Sequence, residues 1–383
     1  MLIFETKDSK ALQLQQIQLI HFKNYSGQTI TFSPRLNGLV GQNGMGKTNL
    51  LDAIYYLCMG KSYFSVRDQF LVEHGESFFR LVGQFELADR KDKLVVKVVP
   101  KQRKELEING RVYDKLADHV GRFPVVIVVP DDTQLIREGS EERRRFIDNT
   151  LSQLDADYLR SLLQYNKVLK QRNALLKQWG GRLLSEDLLQ VYDEQMLEPA
   201  KYIHARRAAF IEEFQLPFQS AHQAICGGAE QASLRYRSAL NETPLLELLQ
   251  SRRDKDVVLE RTSQGIHRDD LVFHLGDHPL KRLGSQGQLK SFILALKLAQ
   301  YRFLMVERKV PPILLLDDIF DKLDPQRVQQ LVEYILKEDF GQVFISDTDQ
   351  DRISKVLRDN ASSQPRLYTV VDGTVEEQNL VSA

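Results

Sequence analysis

The feature of this sequence that most constrains its fold is a glycine-rich stretch, GQNGMGKT, at residues 41–48. The stretch fits the phosphate-loop pattern G-x-x-x-x-G-K-[ST], in which backbone N–H groups hold phosphate oxygens. The apolar run GLV precedes it, and helical spacing follows it at Leu50, Leu51, Ile54 and Leu57. A strand, a loop and a helix in this order predict an α/β domain that binds a nucleoside triphosphate.

The residue types within the loop predict how the nucleotide is held. Glycines let the backbone approach the phosphates, Lys47 is placed to reach the β- and γ-phosphates, and the Thr48 hydroxyl is placed to bind Mg²⁺. The N-terminus of the following helix adds a partial positive charge. We therefore expect ATP and Mg²⁺ as cofactors, with the nucleotide held by Gly41, Gln42, Asn43, Gly44, Met45, Gly46, Lys47, Thr48 and Asn49.

A second apolar run, PPILLLDDIF at residues 311–320, ends in two carboxylates. It fits a Walker B strand, which delivers an acid to the metal that accompanies the phosphates. We expect Asp317 to hold Mg²⁺ together with Thr48, and Asp318 to polarise the attacking water. The expected catalytic residues are thus Lys47, Asp317 and Asp318.

Three further segments resemble parts of ABC-type ATPases. In GSQGQLK, residues Ser285, Gly287 and Gln288 resemble the ABC signature, which opens a long helix and caps the γ-phosphate held by a partner subunit. The stretch FDKLD (320–324) occupies the place of the D-loop, with Leu323 and Asp324 matching, although Asp324 and Pro325 also read as a helix start. Asp347 and Thr348 stand where many ABC heads carry a switch histidine.

The remaining pattern predicts a mixed sheet with an antiparallel β subdomain and an inserted helical lobe. Strand patterns occupy residues 12–32 and 79–113, where Asn109–Gly110 is a hairpin signal. Helical periodicity dominates from about 134 to 250, and strand signals return at 256–275. The expected domains are 1–130 (N-terminal part of the ATPase head), 131–255 (helical lobe) and 256–383 (C-terminal part of the head).

Charge is balanced overall, with 52 basic and 52 acidic residues, so a nucleic-acid surface must be a local patch. Residues 158–185 carry six basic side chains and no acid. We expect DNA contacts there, or else a solvated helix face that pairs with acids of another helix. The expected DNA-binding residues are Lys167, Lys170, Arg172 and Lys177. For EERRRF (141–146), pairing with Glu141 and Glu142 is favoured over DNA contact.

Two cysteines without a C-x-x-C pair argue against a cysteine-based zinc site and fit a reducing cytosol. The longest apolar runs are far shorter than the ~20 residues that span a bilayer. We expect a cytoplasmic protein without a membrane partner.

Taken together, these motifs resemble the RecF family of SMC/Rad50-like ABC ATPases. Besides the phosphate loop, SQGQLK and LLLDDIFDKLD, the matching stretches are HFKNY (21–25), VPDD…EERRRFID (129–148) and QGIHRDD (264–270), the last with Ile266 where proline is usual. Within QGIHRDD we expect His267 to be a satisfied buried histidine, and Arg268 to form an internal ion pair with Asp269 or Asp270.

The resemblance implies an ABC-type ATPase head whose ATP drives homodimerisation and whose slow hydrolysis drives release. It implies binding of single- and double-stranded DNA at gaps and junctions, weak DNA-stimulated ATPase activity, and work with RecR, RecO and RecA in DNA repair and replication-fork maintenance. Two other functions stay open from the residues alone: the nucleotide-binding subunit of an ABC transporter, and a small-molecule kinase.

Overall fold

The computed structural model describes residues 11–64, 67–178, 186–226, 231–283, 285–320, 331–335 and 340–380. The chain forms two compact units, the first comprising Met1–Asp132 and Leu294–Ala383 and the second Thr133–Ile293. The sequence-based division placed the second boundary at residue 255 instead. The boundary lies later because a small three-stranded sheet and the start of a long helix belong to the same compact unit as the preceding helices.

The first unit contains an antiparallel sheet of six strands, in the order β2-β1-β4-β5-β6-β7. Asn109 and Gly110, which join β6 to β7, both have positive φ, as a two-residue hairpin turn requires. The strands are β1 (Leu12–Phe22), β2 (Tyr25–Thr31), β4 (Phe79–Leu87), β5 (Arg90–Val98), β6 (Glu105–Ile108) and β7 (Arg111–Val112).

The second sheet of this unit is parallel except at one edge, with the order β15-β14-β3-β13-β12-β8. Every residue of β3, β8, β12 and β13 is buried, as expected for strands covered on both faces. The strands are β3 (Leu36–Val40), β8 (Val125–Val128), β12 (Ile313–Leu316), β13 (Val343–Asp347), β14 (Arg366–Val371) and β15 (Thr374–Gln378).

Helix α1 (Lys47–Met59) follows the phosphate loop and contacts strands of both sheets. Nearly all of its side chains are buried, including the free thiol of Cys58. It therefore forms the centre of a continuous apolar core with β1, β4, β8 and β12. Helix α11 (Gln350–Arg358) contacts β3, β13 and β14.

The second unit combines helices with a three-stranded antiparallel sheet, β11-β10-β9. Helix α9 (Gln286–Arg308) begins in this unit and ends in the first. The other elements are α2 (Gln134–Arg137), α3 (Ser140–Leu154), α4 (Ala156–Gln178), α5 (Glu186–Cys226), β9 (Ala232–Arg237), α6 (Leu245–Ser251), α7 (Arg253–Val258), β10 (Asp270–Leu275), β11 (His278–Pro279) and α8 (Leu280–Leu283).

Two local predictions in this unit were wrong. The first part of the strand signal at 256–275 lies in helix α7 instead. There Asp256 is buried in an ion pair with Arg172, while Val258 is exposed. That tertiary contact overrides the β propensity of the two valines. Strand β9 lies in the stretch expected to be helical. Residues 331–335 (α10), which follow the possible helix start at Asp324 and Pro325, are helical.

Candidate functional site

The site forms where three parallel strands of the first unit end together. Strand β13 pairs with β12 on one side and with β3 on the other. The phosphate loop follows β3, while Asp317 and Asp318 follow β12. Because the carboxyl ends of parallel strands meet at one edge of a sheet, residues far apart in sequence lie side by side there.

The phosphate loop has the geometry of an anion cradle. Gly44 has a φ of 84°, and a Cβ added there would meet open space rather than protein atoms. Lys47 is the first residue of α1, and its Nζ donates to the carbonyls of Gly41 at 2.7 Å and Gln42 at 3.2 Å. The ammonium group therefore lies against the loop, at a helix N-terminus that favours negative charge.

Thr48 and Asp317 are in direct contact. The Thr48 Oγ1 donates a hydrogen bond to Asp317 Oδ2 at 2.8 Å, although the residues are 269 positions apart. Asp317 is buried, and burial raises the pKa of its carboxyl, while hydrogen bonds from Ser346 and Thr48 act in the opposite direction. The phosphate loop and the acid at the end of β12 thus form one site.

These residues fit the magnesium ion that the motifs imply. A hydroxyl and a carboxylate are oxygen ligands of the kind Mg²⁺ prefers, and Mg²⁺ in nucleotide sites is commonly held by few protein groups together with phosphate oxygens and water. Among the described residues, no cluster of three or more histidine, cysteine, aspartate or glutamate side chains could hold a metal alone. A site completed by phosphate oxygens agrees with both facts.

Ser346 is a site residue that the sequence analysis missed. It lies in β13, and its hydroxyl donates to Asp317 Oδ1 at 2.7 Å and accepts from the backbone N–H of Asp318 at 3.0 Å. Its neighbour Asp347 stands in the place of the switch histidine. The carboxylate of Asp347 accepts from Arg352 Nη1 at 3.0 Å and from the Asp349 N–H at 3.0 Å.

The segment resembling the ABC signature begins helix α9 in the second unit. The Ser285 Oγ accepts from the Gln288 N–H at 3.2 Å, and the Gln288 Oε1 accepts from the Ser285 N–H at 2.8 Å. This reciprocal arrangement is a capping box. Ser285 is exposed and Gly287 is half-buried. Leu323 and Asp324 of the expected D-loop lie outside the described residues.

The chain is similar to known proteins over most of its length. The model for the RecF/RecN/SMC N-terminal domain matches residues 13–366. The DNA replication and repair protein RecF of Flavobacterium johnsoniae is 48% identical over 348 residues, covering 91% of this chain and 97% of the relative. The chain belongs to the RecF family. The RecF protein of Phocaeicola vulgatus is 41% identical, with coverage of 95% and 98%.

Solved structures agree with this assignment. The recombination mediator protein RecF with ATP, described as part of the RecFOR pathway, is 29% identical with a TM-score of 0.86, covering 98% of this chain and 100% of that chain. The Smc head domain from Pyrococcus furiosus, at 17% identity and a TM-score of 0.55, shares the fold. The expected fold class, an ABC-type ATPase head of mixed α/β structure, is confirmed.

Two side chains of the RecF-like stretch HFKNY donate hydrogen bonds to backbone carbonyls of the phosphate loop. Asn24 Nδ2 donates to the Met45 carbonyl at 3.1 Å, and the Tyr25 hydroxyl donates to the Gly46 carbonyl at 3.0 Å. Gly46 has a φ of 117°, and a Cβ there would lie 2.7 Å from the Asn24 amide. The sequence offered only a family resemblance for this stretch, because its partners lie in another segment.

A buried polar cluster in the first unit was also missed. Lys297 Nζ lies 3.0 Å from Asp132 Oδ1 and donates to the Tyr63 hydroxyl at 2.8 Å and to the Ile127 carbonyl at 3.0 Å. Tyr63 also donates to Asp132. Lys297 therefore ties the second half of α9 to the end of β8.

The basic segment in α4 divides into exposed and buried members. Lys167, Lys170 and Lys177 are exposed, whereas Arg172 is fully buried. Arg172 Nε donates to Asp193 at 2.7 Å and Nη1 to Asp256 at 2.8 Å. The expectation that Arg172 contacts DNA is therefore corrected. Its spacing of four residues from the buried Val168 and Leu176 was the signal for its inward position.

The RecF-like segments EERRRFID and QGIHRDD meet inside the second unit. Arg145 pairs with Glu142 at 3.1 Å, as expected, but Arg143 Nε donates to Asp270 Oδ1 at 2.7 Å. His267 is partly buried, and both ring nitrogens have partners as expected: they lie 2.8 Å from the Tyr165 hydroxyl and 3.1 Å from the Thr262 carbonyl. Burial lowers the pKa of His267 to about 4.

None of the helices in the described part of the chain is sufficiently long and apolar to cross a bilayer.

Proposed function

We propose that this protein is an ATP-dependent DNA clamp of recombinational repair and replication-fork maintenance. ATP with Mg²⁺ joins two copies of the chain, and slow, DNA-stimulated hydrolysis separates them. The clamp binds gaps and junctions between single- and double-stranded DNA and acts with RecR and RecO to promote the loading of RecA. Membership in the RecF family and the RecFOR pathway of the solved RecF–ATP structure support this proposal.

The observation that carries the nucleotide part is the 2.8 Å contact between Thr48 and Asp317. We assign Thr48 and Asp317 to the metal, Lys47 to the β- and γ-phosphates, and Asp318 to the attacking water. Bound Mg²⁺ supplies charge neutralisation for the phosphate oxygens. The loop residues 41–49 hold the phosphates mainly through backbone N–H groups.

The start of α9 supports dimerisation through ATP. A helix N-terminus with an exposed serine offers N–H groups and a hydroxyl to an anion. We propose that Ser285, Gly287 and Gln288 of one copy contact the γ-phosphate held by the loop of the other. The capping box between Ser285 and Gln288 is compatible with this role, because it fixes the serine at the helix start while the serine hydroxyl hydrogen can still be donated.

The exposed lysines of α4 support contact with DNA. Lys167 and Lys177 are ten positions apart in the helix, which corresponds to about 15 Å along its axis. Lys170 lies between them on the exposed side, and no acidic residue occurs from 158 to 178. Three phosphate contacts would give a salt slope of about 2.7 on duplex DNA. We therefore propose Lys167, Lys170 and Lys177 as DNA-contacting residues.

Sedimentation of the protein with and without ATP–Mg²⁺, at low and high salt and with or without a gapped duplex, tests the proposal. The expected result is a dimer that forms only with ATP and whose DNA complex weakens as salt rises. A monomer under every condition would contradict the clamp and the assignment of the signature. Dimerisation without any DNA complex would contradict the DNA part alone.

A further inference from the structure

A single hydroxyl connects the two carboxylate-bearing residues that follow β12. Ser346 is fully buried, and its Oγ donates to Asp317 Oδ1 at 2.7 Å while accepting from the Asp318 N–H at 3.0 Å. A serine hydroxyl has one donor and two acceptor positions, so both bonds can exist at once. Ser346 belongs to β13, whereas the acids follow the neighbouring strand.

The bond to Asp317 fixes how that carboxylate is turned. Oδ1 is held by Ser346 and Oδ2 by Thr48, so each oxygen has its own partner on a different element. Rotation of the carboxylate would break at least one of these two bonds. The oxygen beside Thr48 therefore stays where it can share a cation with the threonine hydroxyl. Without the serine hydroxyl, a buried carboxylate oxygen would lose a hydrogen bond to a charged group, the stronger kind.

The bond to Asp318 holds an uncommon backbone conformation. Asp318 has a φ of 43°, in the left-handed region that residues other than glycine rarely occupy. Such conformations persist only where the surrounding structure stabilises them. The Asp318 N–H donates to the Ser346 Oγ, so the same hydroxyl that orients Asp317 also fixes the backbone of Asp318.

Asp347, the residue next to Ser346, has other hydrogen-bond partners. Asp347 follows Ser346, but its carboxylate is held by the Arg352 side chain and the Asp349 N–H. Both contacts lie within the turn that begins α11 and do not reach the acids after β12. Ser346 is thus the residue of β13 that the structure connects to both Asp317 and Asp318.

We propose that Ser346 is a positioning residue for ATP hydrolysis, orienting Asp317 toward the metal position and Asp318 toward the reacting water. This inference rests on the proposed function, since it names a further residue for the same site. Ser346 acts through the two aspartates and touches neither the nucleotide nor the metal. Its effect should therefore appear in magnesium dependence and turnover, and not in nucleotide affinity measured without magnesium.

The test compares Ser346→Ala with a matched control, Ser33→Ala. Ser33 is also buried, and its hydroxyl donates to the Gln364 carbonyl at 2.8 Å. It precedes β3 and so lies at the opposite end of the same sheet from the acids. Both variants lose one buried hydroxyl, but only Ser346→Ala loses contact with Asp317 and Asp318. A third variant, Ser346→Thr, keeps a hydroxyl at the same position.

Three quantities are measured on the full chain: ATP turnover against Mg²⁺ concentration, binding of a fluorescent ATP analogue with and without Mg²⁺, and thermal unfolding. For Ser346→Ala, we expect turnover to fall about ten- to a hundredfold and half-saturating Mg²⁺ to rise about tenfold, the scale of one lost hydrogen bond to a charged group. Analogue binding without Mg²⁺ should match that of Ser33→Ala, and both variants should still unfold cooperatively on heating. Ser346→Thr should restore turnover.

Two outcomes would overturn the proposal. In the first, Ser346→Ala matches Ser33→Ala in both turnover and magnesium dependence. In the second, a folded Ser346→Thr is as impaired as Ser346→Ala, which would show that the hydroxyl is not the cause. Failure of the unmodified protein to bind the analogue would instead overturn the proposed nucleotide function, so the two failures are distinguishable.

Discussion

The buried position of Arg172 predicts that its replacement will lower the stability of the protein without weakening DNA binding. The opposite result is expected for an exposed lysine of the same helix. Arg172, Asp193 and Asp256 have no exposed side-chain surface, and the guanidinium also donates to the Thr262 hydroxyl at 2.9 Å. The replacement Arg172→Met keeps much of the length of the side chain but removes its charge. It leaves Asp193 with Arg253 at 3.4 Å as its only remaining ion-pair partner among the described residues.

The expected loss in unfolding free energy is about 3–5 kcal/mol, the cost of leaving buried charges without their partner. A control on the same helix, Lys170→Met, removes an exposed charge and should stay within about 0.5 kcal/mol of the original. Urea unfolding of both variants, followed by far-ultraviolet circular dichroism, measures the difference.

DNA affinity completes the test, because the two variants should behave in opposite ways. Folded Arg172→Met should bind a gapped duplex as the original protein does, while Lys170→Met should bind more weakly and with a smaller salt slope. Replacing Arg172, Asp193 and Asp256 together by Met, Asn and Asn should recover part of the lost stability, since no buried charge is then left unpaired. Unchanged stability together with weaker DNA binding in Arg172→Met would refute the reasoning.

Three further changes have distinct expected results. Ser285→Arg should block ATP-dependent dimerisation in sedimentation yet preserve ATP binding, and normal dimerisation would contradict the signature assignment. Lys297→Met should lower the unfolding free energy by about 3–5 kcal/mol, because Asp132 loses its buried partner; an unchanged urea midpoint would contradict this. Burial lowers the pKa of His267 to about 4, below its value in the unfolded chain. The unfolded chain therefore binds more protons, and the free energy of unfolding decreases as the pH is lowered from 6.5 to 4. The decrease in the free energy of unfolding from pH 7 to pH 5 is about 2 kcal/mol. His267→Gln should remove that part of the pH dependence of urea unfolding.

The parts of the site that could be predicted are those encoded within one short segment. The strand, glycine-rich loop and helix around Lys47 follow from local residue types, and so does the acid pair after β12. Each motif can be recognised from a few consecutive residues, because its chemistry depends on backbone N–H groups and on the position of an acid at a strand end. Their meeting at Thr48 and Asp317 could be expected from the rule that parallel strands end at one edge.

The parts that could not be predicted depend on partners distant in the chain. Nothing near Ser346 in the sequence indicates that its hydroxyl lies between two acids of another strand. The pairing of Lys297 with Asp132 likewise joins residues that share no local pattern. Arg172 was different, since the apolar residues at four positions on either side already indicated its inward side. At this position the helical spacing, and not the positive charge of the segment, determines which way the side chain faces.

Distant partners also explain two RecF-like stretches that carry many charges, because several of these charges are held by bonds within the second unit. Arg143 Nε and Nη2 donate to Asp270 at 2.7 and 3.3 Å, and Arg144 donates to the Asp269 carbonyl at 2.7 Å. Arg207 on α5 joins Asp148 at 2.8 Å to Asp269 at 3.0 Å. These bonds connect α3 and α5 to the start of β10. Arg143 and Arg207 are thus held by carboxylates of their own unit. These internal bonds stabilise the second unit, whereas the DNA contacts that we propose involve the exposed lysines of α4.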